Sequence, residues 1–534
     1  MLVLAFGLSP LVASPQEQPQ QFRHDPDLFA RDTLRVESMV CPFKGSIEYE
    51  PGEIECGLLQ VPENRENPDS RFIELHFVKL NARPEDEDWK VESKLEQGRR
   101  DDPVIYLTGG PGVRVDYYVE RFRDHHILQH RDLYILEQRG IGSSADFCNF
   151  YSTRKPELSN AATFEEYLAA RLGAMADCAL NAAAAGVDLG GYNTLENARD
   201  VKALRMALDF ESWNVWGISY GTILGQAYLK ADPEGIRAVV LDANMPLDVR
   251  AHPQAWRVVE SYVRDLEILD ELCQAQPDCA ASFPELVERI RQAAMTVRDA
   301  PLTVAVEDTE RFPSGEARLF SDAVAFLPFM MLYDEKNYPA LPAMIHAWAD
   351  AIDRRDEVIV KALALAGAGS EPGSSDGMYN AIFCQDGDFE VMAVAGRRDL
   401  EEYPVLSESL TTTQNLDRMA EICPEIGMPP RDPSDYAMAE TDLPVLLVEG
   451  KMDPITPPWH AETLLPGFVH GSYVEFPYAG HGPSRSLDCA GDMLNSFFDS
   501  PMEEIATSCA DEMEVPEFLG PLFTTIAVPR VLVR

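Results

Sequence analysis

The sequence predicts an α/β fold, a mostly parallel central sheet with an inserted helical cap. Three observations carry this. Short apolar runs end in glycine loops: Val104-Ile105-Tyr106-Leu107 leads into Gly109-Gly110-Pro111-Gly112, and Leu133-Tyr134-Ile135-Leu136 into Arg139-Gly140-Ile141-Gly142. Parallel strands covered on both faces read as continuous apolar stretches of this kind. Strand-like and helix-like segments alternate along much of the chain, the pattern of a sheet with helices packed on it. Between about 250 and 435 strand signals thin out and helical periodicity takes over.

The elements follow in order. Residues 1–14 resemble the apolar stretch and small-residue end of a secretory signal without its basic start. They fall short of the roughly 20 apolar residues a membrane-spanning helix needs, and no other such run follows, so no membrane span is expected. With the polar Gln16 to Gln21 they make 1–35 a signal-like segment and linker. The first part of the core is 36–249. In it Leu58 to Pro62 and the alternating Phe72 to Val78 open the sheet in antiparallel fashion, followed by the two apolar runs above. Leu195, Ala198, Val201, Leu204 and Leu208 take helical spacing behind Thr194 as N-cap. Asn214-Val215-Trp216 is a strand, Thr222 to Leu229 a helix and Ala238 to Leu241 another strand. The cap, 250–435, holds long helical stretches such as Ala255 to Leu272 and a Gly/Ser-rich loop, Gly367 to Gly377. In the second part of the core, 436–515, strands at Val445 to Val448 and Tyr473 to Phe476 precede a helix whose Ala490, Met493, Leu494, Phe497 and Phe498 share one face. Residues 516–534 are a C-terminal tail.

Composition narrows the function. With 46% hydrophobic residues in 534, the chain can bury a large core, which excludes disorder for most of it. The 45 Lys+Arg against 89 Asp+Glu give a formal charge of −44, a surface that repels phosphate backbones, so nucleic acid is not an expected partner. The ten cysteines contain no C-x-x-C pair. In chain order they close five local loops, Cys41 to Cys56, Cys148 to Cys178, Cys273 to Cys279, Cys384 to Cys423 and Cys489 to Cys509, each short enough for a disulfide, although spacing alone does not fix connectivity. An oxidising compartment, secreted or periplasmic, is the expectation.

Gly217-Ile218-Ser219-Tyr220-Gly221 matches the nucleophile elbow G-x-S-x-G with a strand before it and a helix after it. Gly373-Ser374-Ser375-Asp376-Gly377 matches the same pattern but has no preceding strand, so Ser375 is expected to be inert. A serine hydroxyl needs a base, and the base a carboxylate to orient it. In the order Ser, Asp, His these partners lie downstream at strand ends, where Asp453 and His481 stand, with Glu449 competing for the acid role. His460 begins a helix and His470 precedes its strand, which leaves His481 as the base. Two backbone N–H donors are needed for the oxyanion, and Tyr220 and Gly110 are the candidates. Gly140 to Ala145 resembles a dinucleotide fingerprint but lacks the following strand with its ribose-binding carboxylate. No Walker loop, H-E-x-x-H or zinc spacing appears, so no cofactor and no metal are expected.

Taken together these residues resemble the prolyl aminopeptidase-like serine peptidases of the α/β-hydrolase fold, specifically the secreted tripeptidyl aminopeptidase branch, over about 40–510. The marks are Cys56-Gly57 leading to Val61-Pro62-Glu63-Asn64, the Gly-Gly-Pro-Gly loop at 109–112, Gln138-Arg139-Gly140, the elbow with Thr222, Cys384-Gln385-Asp386, Asp453-Pro454-Ile455-Thr456-Pro457 and Gly480-His481-Gly482. The resemblance implies removal of short peptides or proline-type residues from free N-termini, with cap carboxylates holding the substrate amine. Asp386 is the candidate, tethered if Cys384 pairs with Cys423. Two departures border the site: Thr108 where many relatives have histidine, and Glu137 where they have aspartate. A carboxylesterase with the same triad and a hydrolase-like binding protein without turnover are the alternatives.

Overall fold

The computed structural model describes residues 34–43, 46–83, 99–148, 155–249, 252–367, 375–387, 389–410 and 416–520. The signal-like segment, most of the Gly/Ser-rich loop and the end of the C-terminal tail lie outside them.

Nine strands among the described residues form one sheet: β1 (Arg35–Met39), β2 (Ile54–Pro62), β3 (Phe72–Leu80), β4 (Val104–Leu107), β5 (Leu133–Leu136), β6 (Trp213–Ile218), β7 (Ile236–Asp242), and, past a two-stranded hairpin of β8 (Leu302–Ala305) and β9 (Glu316–Leu319), β10 (Thr441–Gly450) and β11 (Phe468–Phe476). Their order is β1-β2-β3-β5-β4-β6-β7-β10-β11. The first three pair antiparallel, β3 meets β5 antiparallel, and from β5 onward every neighbouring pair is parallel. The carboxyl ends of β4, β6, β7, β10 and β11 therefore share one edge, where open α/β sheets place their ligands.

The apolar runs divide between two layers by strand periodicity. Ile105, Leu107, Val215, Val239 and Leu447 face a core completed by the helices Phe164–Ala184, Thr194–Ala207 and Tyr220–Ala231. Val104, Tyr106, Trp216, Val240 and Leu446 face another, closed by Val115–Phe122 and Asp488–Asp499. A third core belongs to the cap, where the helices Val258–Gln274, Leu286–Asp299, Ser321–Met331 and Leu341–Arg354 pack on one another and on the hairpin. No helix of the described residues is long and apolar enough to cross a membrane.

All ten cysteines are joined, and each to its neighbour in chain order. Cys41 pairs with Cys56, which fastens the segment after β1 to β2. Cys148 pairs with Cys178, tying the loop after β5 to the helix Phe164–Ala184. Cys273 pairs with Cys279 across the turn between two cap helices, and Cys384 pairs with Cys423 between two others. Cys489 pairs with Cys509, which holds the short helix Ser508–Asp511 to the start of Asp488–Asp499. Spacing left the connectivity open; the fold selects the local one.

Three expectations are corrected by the structure. Asn193, not Thr194, caps its helix: Asn193 has extended backbone and its side chain accepts the Glu196 N–H, whereas Thr194 is the first helical residue. His470 lies inside β11 rather than before it, because pairing with β10 extends the strand back to Phe468. Ser375 is not structurally inert. It caps the helix Asp376–Asp386, its N–H donates to the Gly112 carbonyl at 2.7 Å, and its hydroxyl donates to Asp146 at 3.1 Å. The second G-x-S-x-G is a helix start fastened to the Gly-Gly-Pro-Gly loop.

Candidate active site

Ser219 sits between the end of β6 and the helix Tyr220–Ala231, at φ 61° and ψ −126°. A non-glycine residue adopts this sparsely populated region only when its surroundings enforce it. The flanking glycines explain how. A Cβ on Gly217 would overlap the Gly221 carbonyl, and one on Gly221 would overlap the carbonyl oxygen of Leu107 on β4. The Ser219 N–H donates to the carbonyl of Asp242, the last residue of β7, at 3.0 Å.

Asp453 follows β10 and His481 follows β11, so the parallel pairing of the two strands brings their loops together. His481 Nδ1–H donates to Asp453 Oδ2 at 2.7 Å. The carboxylate also receives the N–H groups of Ile455 and Thr456 on Oδ1, both at 2.9 Å, and the Thr456 hydroxyl on Oδ2 at 2.7 Å. Asp453 is fully buried. Burial disfavours its charge, yet His481 and these donors outweigh burial and hold the carboxyl below its ordinary pKa. Gly482 brings the His481 turn against β6, the strand that precedes Ser219: a Cβ there would stand 3.0 Å from Ile218 Cγ2.

The competitors separate by environment. Glu449 accepts the Asn244 N–H at 2.9 Å, and burial together with Asp453 pushes its pKa well above the ordinary value. His460 is buried against the Asn244 carbonyl, and burial lowers its pKa to about 4. Neither makes the Asp–His pair.

Gly110 and Tyr220 line a cavity of about 270 Å³ together with Ser219, Thr456 and Asp386. The Gly109 N–H is committed to the Tyr118 hydroxyl at 3.1 Å, while no described acceptor takes that of Gly110 or Tyr220. Gly110 has φ 110°, open to glycine alone among common residues. Asp386 is buried in the cavity wall with partners of its own. Its Oδ2 accepts the Thr194 N–H at 2.8 Å and its Oδ1 the Tyr436 hydroxyl.

The two departures are structural on this geometry. Thr108 receives Gln138 Nε2 on both its carbonyl and its hydroxyl, at 3.0 and 2.8 Å. Glu137 accepts the N–H groups of Val115 and Ser143, bracing the loops after β4 and β5.

Several neighbours of the site escaped sequence reasoning. Tyr333, from the cap, accepts the His481 N–H on its carbonyl at 3.0 Å and lays its ring 4.5 Å from the imidazole. Arg264, also from the cap, donates to the Asp453 carbonyl at 3.0 Å. Asp242 accepts the Ser484 N–H at 2.8 Å and the Ser484 hydroxyl, three residues past His481. Only Thr456 carried a signal, since an Asp followed three residues later by Thr can fold back on itself as an Asx-type turn.

The α/β hydrolase fold family model matches residues 102–302, and the TAP-like protein model matches residues 409–509. The chain is 24% identical over 461 residues to the serine protease Hip1 of Mycobacterium tuberculosis, covering 81% of this chain and 82% of that protein. It is 26% identical over 139 residues to a probable proline iminopeptidase of Streptomyces coelicolor, covering 26% of this chain and 32% of that protein. Among solved structures, a hydrolase from Pseudomonas aeruginosa PA01 aligns with 84% of this chain and 100% of its own at 13% identity and TM-score 0.35. With its sheet topology, its elbow and these sequence matches, the chain has the α/β-hydrolase fold and is similar to the prolyl and tripeptidyl aminopeptidase-like serine peptidases.

Proposed function

We propose that the protein is a secreted or periplasmic serine aminopeptidase that releases short peptides or proline-type residues from free N-termini through an acyl-enzyme. Ser219 attacks the scissile carbonyl and His481 Nε2 takes its proton. Asp453 holds the imidazole through Nδ1 and stabilises the charge it acquires. The N–H groups of Gly110 and Tyr220 receive the oxyanion. Collapse of the tetrahedral intermediate breaks the C–N bond, and His481 returns the proton to the departing amine. Water, deprotonated by the same imidazole, then hydrolyses the ester on Ser219.

The observation that carries this reading is the buried Asp453–His481 hydrogen bond, on a turn packed against the strand that ends before Ser219, together with a strained serine on a cavity that has a carboxylate, Asp386, in its wall. Asp386 is fixed by Thr194 and Tyr436 and, through its helix, by the Cys384–Cys423 disulfide, so it stands ready for a substrate ammonium. A desolvated ammonium needs such a partner. The five disulfides support an oxidising compartment.

A carboxylesterase with the same triad is the second reading, favoured by the largely apolar cavity wall and by the protein partners Asp386 already has. Cleavage of matched free-amine and N-acetylated peptides decides between the two. Strong preference for the free amine is expected. Undiminished cleavage of acetylated peptides, or of simple esters alone, would reject the aminopeptidase reading.

A further inference from the structure

The wall of the cavity beside Ser219 is aromatic and aliphatic apart from a few polar groups, and among the described residues that line it Asp386 is the charged side chain. Phe326 and Tyr379 stand out on this wall. They are large side chains left 38% and 40% exposed, on a chain whose formal charge is −44. Exposed apolar surface gathered at one concave place marks a contact site for a ligand.

Both residues stand on rigid supports. Phe326 belongs to the helix Ser321–Met331, embedded in the cap core, and stacks on Phe329 at 6.0 Å between ring centroids. Tyr379 belongs to the helix Asp376–Asp386, pinned by Ser375 to Gly112 and by Cys384 to Cys423, and packs on Phe383 at 4.5 Å. These rings are presented to the cavity rather than folded away from it.

We infer that the substrate residue whose carbonyl meets Ser219 carries a bulky, uncharged apolar side chain, and that Phe326 and Tyr379 select it. The inference rests on Ser219 being the nucleophile. An aspartate or glutamate at that position would lose its water beside the negative Asp386. A lysine or arginine would compete with the substrate's own amine for the Asp386 carboxylate. An unpaired buried charge is costly, whereas each added methylene in an apolar pocket favours the substrate by about 10- to 200-fold.

The test is a panel of p-nitroanilides and matching p-nitrophenyl esters with Phe, Leu, Ala, Asp or Lys at the reacting carbonyl, each made both as the free-amine single residue and as a free-amine tripeptide, combined with fluorophosphonate labelling of Ser219. Wild type is expected to show kcat/KM for Phe and Leu about 100-fold or more above Asp and Lys. In Phe326→Ala and Tyr379→Ala the Phe-to-Ala ratio of kcat/KM should fall by about 10-fold. A structural role alone would lower the thermal midpoint and leave that ratio unchanged. Three results overturn the inference while sparing the hydrolase reading, provided Ser219 is labelled: Asp or Lys turned over as fast as Phe, no turnover of Phe and Leu, or an unchanged ratio in both variants. No turnover and no labelling overturns both.

Discussion

Replacing Thr456 by valine removes one donor from the buried charge that orients the His481 imidazole, the base of the proposed triad. Asp453 is fully buried and holds its charge through the N–H groups of Ile455 and Thr456, the Thr456 hydroxyl and His481 Nδ1–H. Valine is close in shape and leaves both backbone donors in place. The loss of one hydrogen bond to a buried charge is about 1.5–3 kcal/mol. If it falls on the transition state, where the imidazole is charged, kcat/KM drops about 10- to 100-fold at ~1.4 kcal/mol per decade. The same change reads out in stability. A carboxyl whose folded pKa is depressed contributes stability above its unfolded pKa and loses it as pH falls through the folded value. Thr456→Val raises that folded value, so the acid-side loss begins at higher pH. Ester and peptide kinetics at neutral pH, with thermal midpoints followed down the acid limb, are the assay. Kinetics within about twofold of wild type and superimposable midpoint curves would refute the claim that Thr456 sustains the Asp453 charge.

Gly221→Ala is expected to yield no soluble, active protein, because its Cβ would overlap the Leu107 carbonyl; recovery of an active variant would show that the elbow can move away from β4. Asp242 is pushed up to about 7, by burial above all, against its Ser484 hydrogen bonds. A carboxyl with a raised folded pKa gives stability that is complete below about pH 4 and lost as pH rises to about 7, on the order of 4 kcal/mol across that window. Denaturant midpoints of Asp242→Asn should therefore gain on wild type as pH rises through it, and parallel curves would sink the argument. Thiol titration of the unreduced, denatured protein should find almost no free thiol, as all ten cysteines are paired; several reactive thiols would place the protein in a reducing compartment.

The central strands were legible because each is buried on both faces and most stop at a glycine the turn requires. Ser219 and Asp453 were candidates for the same reason, each following an apolar run, whereas His481 follows the edge strand β11, whose Tyr473-Val474-Glu475-Phe476 is mixed in polarity, and was a candidate through chain order and its Gly480-His481-Gly482 turn. β1 gives no such signal, because Arg35-Val36-Glu37-Ser38-Met39 is an exposed edge strand whose partner, rather than its own hydrophobicity, makes it a strand. The β8–β9 hairpin is silent for a related reason, four residues a side in a helical region. Threonine and asparagine are both common helix caps, so two adjacent candidates, Asn193 and Thr194, compete for the position. Asn193 is the one whose oxygen reaches the helix N–H, and the Thr194 N–H goes to Asp386 across 192 positions of sequence. Tyr333 and Arg264 reach the Asp–His pair from the cap, and no local pattern announces a contact made by the folding of one domain onto another. Asp386 is visible as a motif. Its partners Thr194 and Tyr436, which fix how its carboxylate is presented, come from separate helical segments.

Active-site labelling tests the central claim most directly. Wild-type protein treated with a biotinylated fluorophosphonate should acquire one adduct, mapped by peptide mass spectrometry to Ser219. His481→Ala should slow labelling severely and Ser219→Ala should abolish it. An adduct on another serine, or labelling that persists in Ser219→Ala, would contradict the account.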